Sequence, residues 1–318
     1  MKEIEINKIP SPTWSWLKIN GKKITLPSFT EAKPEIKNED AASISEGVAS
    51  VAEKGASACN GDGSTTENAS TCEPTSSNAP ISGVGKDFSE LTESTPSLVI
   101  KAGKGKEQKT PLVLKYKLND KDSSIARQTI IAEEGSSIKV IILSESEKNA
   151  EGFEALKTTI KAEKNAKVQL FKVQLLGDGF TQIDDTETLA DESASIQVNH
   201  IILGGKNTFM GTGSSLSGWK ASFKSELSYF ADKERLVDLN YIVRHFGKKS
   251  ECLMNVYGTL RDKAEKNYRG TIDFKNGCAG SVGEETEDAL LLSPLVKNNS
   301  IPVILCDEED VQGEHLLC

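Results

Sequence analysis

A repeated unit that begins near residue 130 constrains this chain more than any other feature. Each copy runs through a charged or small stretch, then a small residue, then alternating apolar positions. It reads EEGSSIKVIIL at Glu133–Leu143, EKNAKVQLFKVQLL at Glu163–Leu176 and ADESASIQVNHIIL at Ala190–Leu203. Weaker copies are KASFKSELSYF at Lys220–Phe230, RLVDLNYIVRHF at Arg235–Phe246, CLMNVYGTL at Cys252–Leu260 and YRGTIDF at Tyr268–Phe274. The first apolar residues of the clearest copies are Ile138, Val168, Ile196 and Phe223, at spacings of 30, 28 and 27. Val237 and Met254 then follow at about half that interval. A period near thirty, holding about two strand pairs, marks a repeat architecture. The alternation has period 2, the units are rich in Val, Ile and Thr, and Gly, Asn, Asp and Ser fill the intervals. These features favour a β-solenoid over a helical array. Each coil of such a fold covers the apolar face of its neighbours, and stacking leaves two open ends. A Greek-key sandwich is the structural alternative.

The 318 residues suffice for a packed core in one large or two ordinary domains. The net charge is −9 and the pI about 5.1. An acidic chain lacks the cationic excess that nucleic acid or anionic lipid requires. No apolar run approaches 18 residues, so no membrane span is expected. Met1–Pro10 has no apolar signal-peptide core, and the expected location is the cytoplasm. The six cysteines are too sparse for a disulfide scaffold, and none has CxxC spacing. HExxH, GxSxG, Walker A and GxGxxG segments are absent.

Three regions follow from composition. Residues 1–40 form an N-terminal docking segment around TWSWLKIN at Thr13–Asn20, which carries Trp14 and Trp16. Residues 41–85 form a low-complexity linker, in which Ala, Ser, Thr, Gly and Asn fill 27 of positions 41–80. Most of it is expected to stay disordered or loosely helical, because it cannot bury enough surface to offset ordering entropy. Cys59 and Cys72 within it read as bystanders. Residues 86–318 form the repeat core.

Four candidate groups stand out within that core. His200 and His245 fall on the apolar side of their strands and read as core histidines satisfied by backbone carbonyls, with metal binding or catalysis as the alternative. Cys252 and Cys278 read as small buried apolar residues. Glu284, Glu285, Glu287 and Asp288 read as solvated carboxylates at a helix start. IPVILC at Ile301–Cys306 reads as a buried strand, followed by DEED and then His315. An imidazole beside four carboxylates keeps a raised pKa and could bind a metal; a surface acidic loop with one histidine is the plain alternative.

Several short patterns, taken together, resemble the SufB/SufD family of iron–sulfur cluster assembly proteins. They are RHxGxxS (Arg244–Ser250), GxLxD (Gly258–Asp262), GxIxF (Gly270–Phe274), LLLS (Leu290–Ser293), SxP (Ser300–Pro302) and DVxxxH (Asp310–His315). The EINKIP and TWSWLKIN segments resemble the N-terminus of a SufD-like branch. The resemblance implies a mainly β chain with a right-handed parallel β-helix core, a small N-terminal segment and a disordered insert. It implies a non-catalytic scaffold that pairs with a SufB-like subunit through its β-helix and is coupled to the SufC ATPase. His315 matches a family histidine at the subunit interface and is the candidate for handling iron or a nascent cluster. Gly313 stands where SufB-type chains carry a cysteine, which implies the SufD-like role. No cofactor is expected to be held stably by this chain alone; a transient iron–sulfur cluster at the SufB interface is expected instead, with Cys278 and Cys306 as further thiols of interest. In the family, Gly-Ala-Thr and then a helical SufC-docking domain follow the histidine. Here Leu316-Leu317-Cys318 follows, so the docking domain is expected to be missing. The competing readings are a β-solenoid carbohydrate-active enzyme and an inactive truncated paralogue.

Overall fold

The computed structural model describes residues 2–11, 18–38, 43–47 and 79–317. Trp14, Trp16, Cys59 and Cys72 lie outside the described residues, as does most of the expected linker.

The repeat core is a parallel β-solenoid of about eight turns, built from two sheets that the chain visits alternately. One sheet contains β6 (Ser97–Ala102), β8 (Ser123–Ala132), β10 (Glu151–Ala162), β12 (Gly179–Ala190), β14 (Asn207–Leu216), β16 (Leu236–His245), β18 (Glu265–Phe274) and β20 (Lys297–Cys306). The other contains β7 (Leu112–Leu118), β9 (Ser137–Ser146), β11 (Lys167–Leu175), β13 (Ser195–Ile202), β15 (Ser222–Ala231), β17 (Glu251–Leu260), β19 (Ser281–Leu291) and β21 (Val311–Leu317).

The spacing in the sequence is the register of the fold. Ile138, Val168, Ile196, Phe223 and Cys252 are successive Cα partners on β9, β11, β13, β15 and β17. The apparent halving at Val237 has a simple cause: Phe223 and Val237 lie on opposite sheets. One coil therefore holds two strands, not two strand pairs. The small residue of the repeat is explained as well. Ser136, Ala166, Ala194, Ala221 and Ser250 sit buried at stacked corners, where a larger side chain would not fit. The residue before each adopts a left-handed backbone: Gly135, Asn165, Ser193, Lys220 and Lys249 have φ between 55° and 66°. Each sends its N–H to a carbonyl of the next coil, as Gly135 does to Lys164 at 2.9 Å. Gly and Asn adopt this conformation at low cost; Lys220 and Lys249 adopt it against steric preference, held by the ladder above and below.

The N-terminal residues close one end and one face of the solenoid. β4 (Glu35–Lys37) pairs antiparallel with β7, and β5 (Ser43–Gly47) pairs antiparallel with β6, so both edges of the first coil are covered. This places five residues of the expected linker in a strand. At its other end, Ile81–Gly85 packs on the outer face of the even-numbered sheet. There, Cβ atoms on Gly211 and Gly213 would lie 2.0 Å from the Val84 nitrogen and the Ile81 carbonyl. Asp185 on β12 accepts hydrogen bonds from Ser82 Oγ (2.7 Å) and the amides of Gly83 and Val84 (3.1 Å each). The hairpin of β1 (Lys2–Ile6) and β2 (Lys22–Leu26) and the helix α1 (Lys86–Glu93) cover the same face. Ile4, Ile6, Leu26, Val84 and Phe88 pack there against Ile125, Ala155, Ile183 and Phe209. A helix of two turns is unstable in isolation, so the buried Phe88 side chain, contributing about 2 kcal/mol, stabilises α1 through packing. β3 (Thr30–Glu31) pairs with the start of β8.

Of the TWSWLKIN stretch, Lys18, Ile19 and Asn20 are among the described residues. Ile19 is buried with Ile9, Ile301 and Val303. A buried ion pair fixes it: Arg269 Nη1 and Nη2 reach the Asp238 carboxylate at 2.7 and 3.2 Å, and Arg269 Nε donates to the Ile19 carbonyl. Asn7 Nδ2 donates to the same Asp238 at 2.8 Å.

Candidate functional site

The far end of the solenoid differs from the near end. β20 and β21 are the outermost strands of their sheets, and among the described residues nothing pairs with their outer edges. IPVILC was expected as a buried strand; it is an edge strand in which Ile301 and Val303 are buried while Ile304 and Cys306 are exposed. Leu290, Leu291, Leu292, Leu295, Leu316 and Leu317 are all about half exposed around this end. An open groove of about 550 Å³ runs beside them, lined by Tyr229, Tyr257, Gly258, Asp288 and Leu290. It offers a single carboxylate, whereas glycoside hydrolysis generally needs two.

The acidic stretch requires a correction. Glu284, Glu285, Glu287 and Asp288 do not start a helix; they lie in β19. Side-chain alternation sends Glu284 and Asp288 to solvent and Glu285 and Glu287 into the solenoid, where both are buried. The period-2 pattern Ser281, Gly283, Glu285, Glu287 was the available signal, and the charges obscured it. Lys266 on β18 pairs with Glu287, and Ser300 Oγ bridges them, donating to Glu287 at 2.7 Å and accepting from Lys266 at 2.8 Å. Burial pulls the Lys266 ammonium below its ordinary pKa, against the opposing pull of Glu287.

His315 lies on β21 in register with Glu285. Its Nδ1 is 3.0 Å from Glu285 Oε2, and its side chain is 14% exposed. The imidazole thus faces the interior of the last coil. Its carboxylate neighbour is Glu285 on the adjacent strand, not the DEED segment that precedes it in sequence. Neither ring nitrogen and neither Glu285 oxygen has an aligned hydrogen-bond partner among the described residues, and all four atoms are shielded from solvent. Gly270 makes room for the carboxylate, since a Cβ there would lie 2.0 Å from Glu285 Oε1. Tyr268 lies alongside, its phenol pushed well up by burial and then by Glu285, so it stays neutral.

The other candidates are structural. His200 Nδ1 is 2.9 Å from Tyr241 Oη, and His245 Nδ1 is 2.8 Å from Ser250 Oγ. Hydroxyls engage Nδ1 of each where backbone carbonyls were expected, while Nε2 of each has no hydrogen-bond partner among the described residues. Burial holds His200 well below the usual histidine range and lowers His245 to about 3, so both are neutral. The RHxGxxS pattern is therefore a corner: His245 stacks on Phe274 with centroids 4.7 Å apart, and Gly247 fits beneath Gly218. Cys252 and Cys278 are buried, and burial pushes both thiols up, which disfavours the thiolate a metal would need. Cys306 is exposed, its Sγ 3.0 Å from the Glu308 carbonyl. Among the described residues no three His, Cys, Asp or Glu side chains converge on a metal position. At this end, Nε2 of His315 is an imidazole nitrogen without a hydrogen-bond partner among the described residues.

Residues 116–316 match the family model described as SUF system FeS cluster assembly, SufBD core domain. The chain belongs to the SufBD family. The matched span runs from within β7 to within β21 and thus takes in nearly the whole solenoid. A relative named iron–sulfur cluster assembly protein SufD, from Bacillus subtilis (strain 168), is 31% identical over 71 residues. That match covers 22% of this chain and 16% of the relative. No helix of the described residues is long and apolar enough to cross a membrane.

Proposed function

We propose that this SufBD-family chain is a non-catalytic, SufD-like scaffold subunit. It pairs with a SufB-like subunit through the open end of its solenoid, and the pair is coupled to the SufC ATPase in the cytoplasm. The observation that carries the reading is the asymmetry of the two ends. The first coil has both edges covered by β4 and β5, whereas among the described residues nothing pairs with the outer edges of β20 and β21, which lie inside a rim of half-exposed leucines. An edge of this kind is a template for strands of another chain. His315 sits in the last strand, so a nascent cluster assembled at the joint would draw Nε2 from this chain and thiolates from its partner. Imidazole and thiolate together suit iron–sulfur chemistry.

The test is anaerobic reconstitution with SufB-like and SufC subunits, followed by gel filtration and iron and sulfide assay. A stable complex holding more iron and sulfide than the SufB-like subunit alone is expected, with loss of the excess in His315→Ala. Failure to form a complex, or cluster content indifferent to His315, contradicts the proposal. Pull-down of SufC with this chain alone and with the pair decides whether the ATPase reaches the scaffold through this chain or through its partner.

A further inference from the structure

We infer that Glu285 is a positioning residue for His315, holding the proton of the neutral imidazole on Nδ1 so that Nε2 keeps the lone pair. The inference rests on the reading of His315 as a cargo ligand given above, and goes beyond it by naming the residue that decides which nitrogen can act.

Four observations support it. First, Glu285 and His315 are register partners on neighbouring parallel strands, both turned inward, so the backbone ladder itself sets their separation. Second, Nδ1 and Oε2 are 3.0 Å apart, while Nε2 has no protein partner among the described residues. Third, Glu285 is 1% exposed and neither of its oxygens has an aligned hydrogen-bond partner among the described residues, the neutral phenol of Tyr268 being the other donor group beside it. A buried carboxylate without a donor is costly, and the imidazole Nδ1, 3.0 Å away, is within reach to supply one. Fourth, the site is shaped for a carboxylate at this place: Gly270 lacks the Cβ that would collide with Oε1.

The chemical consequence follows from the two nitrogens of histidine. A neutral imidazole offers one donor and one lone pair, and the hydrogen bond made by one nitrogen determines the role of the other. Carboxylate–histidine pairs commonly orient metal-binding rings in this way. Free imidazole favours the opposite tautomer, with the proton on Nε2, which cannot bind iron through that atom. In the isolated chain Nε2 is also shielded, so Glu285 keeps the donor in the correct form until the end of the solenoid engages its partner.

The test needs no cargo. The full chain is labelled with 15N-histidine and its long-range proton–nitrogen spectrum is recorded at mildly alkaline pH, with His315 assigned through His315→Asn. The expected wild-type result is a protonated Nδ1 and an unprotonated Nε2. A proton on Nε2, or on both nitrogens, overturns the inference from the wild-type spectrum alone. In Glu285→Met, which keeps the bulk and removes the acceptor, the His315 Nδ1 signal is expected to move to the unprotonated range while His200 and His245 stay put. An unchanged His315 tautomer in a folded Glu285→Met chain also overturns it. The His200 and His245 signals report folding in the same spectrum. Reconstitution that fails to depend on His315 while the tautomer is as expected would instead defeat the ligand reading of His315 and leave the Glu285 assignment standing.

Discussion

Replacing Arg269 by Met tests how the N-terminal segment is held. Arg269 and Asp238 are 1% and 0% exposed at their side chains, so neither is screened by water. The guanidinium donates to both Asp238 oxygens, to the Leu239 carbonyl at 3.2 Å and to the Ile19 carbonyl. Methionine fills much of the stem volume but supplies none of these donors. Asp238 would then keep only the amides of Asn7 at 2.8 Å and Asn267 at 3.3 Å. Breaking a buried pair by removing one partner costs about 3–5 kcal/mol, most of it from the stranded charge. Urea unfolding followed by circular dichroism should show that loss. Hydrogen exchange should show faster exchange at residues 7–11 and 18–26 than in the solenoid interior. The double variant Asp238→Asn/Arg269→Met removes the stranded charge and keeps the asparagine contacts, so it should be more stable than Arg269→Met. A loss under about 1 kcal/mol, or a double variant no better than the single, would show that the pair does not hold the segment.

Further outcomes follow from other parts of the fold. Glu154 is buried, its carboxyl pushed up to about 7 by desolvation, against the hydrogen bonds from Ser144 and Gln182. Because its folded pKa lies above the unfolded value, its ionisation weakens the fold as pH rises from about 4.5 through 7; Glu154→Gln should remove that slope and gain on the order of 2 kcal/mol at pH 8 in urea titrations. His245 acts in the opposite sense. Its pKa is lowered to about 3, so stability falls as pH drops below about 6.5, and His245→Gln should flatten the acid limb of a melting-temperature profile. Gly213→Ala places a methyl 2.0 Å from the Ile81 carbonyl and should cost about 1–3 kcal/mol, with proteolysis newly admitted at residues 79–93. The paired change Leu290→Glu and Leu316→Glu at the half-exposed rim should leave the melting temperature nearly unchanged and weaken complex formation with the SufB-like subunit in gel filtration; unaltered pairing would move the mating surface elsewhere.

Much of this architecture was legible in one dimension. A solenoid coil is nearly periodic, so Ile138, Val168, Ile196 and Phe223 announced their stacking by spacing alone, and the small corner residues announced the turns. His200, His245, Cys252 and Cys278 were readable as interior residues because period-2 alternation fixes which side of a strand faces in. The charged interior was not readable in the same way. Glu285, Glu287 and Lys266 are buried only because other strands bring partners beside them, Lys266 to Glu287 across 21 residues and His315 to Glu285 from the next coil, and composition alone makes such residues look solvated. The same limit applies to His315: its sequence neighbours are the DEED carboxylates, but its neighbour in space is Glu285, one coil away. Local chemistry thus determined the coil, its corners and its inward faces, since these depend on residues within a few positions of one another. Which end is sealed, which charges are paired and which nitrogen of an imidazole is left free depend on contacts between coils, and only the folded stack decides them.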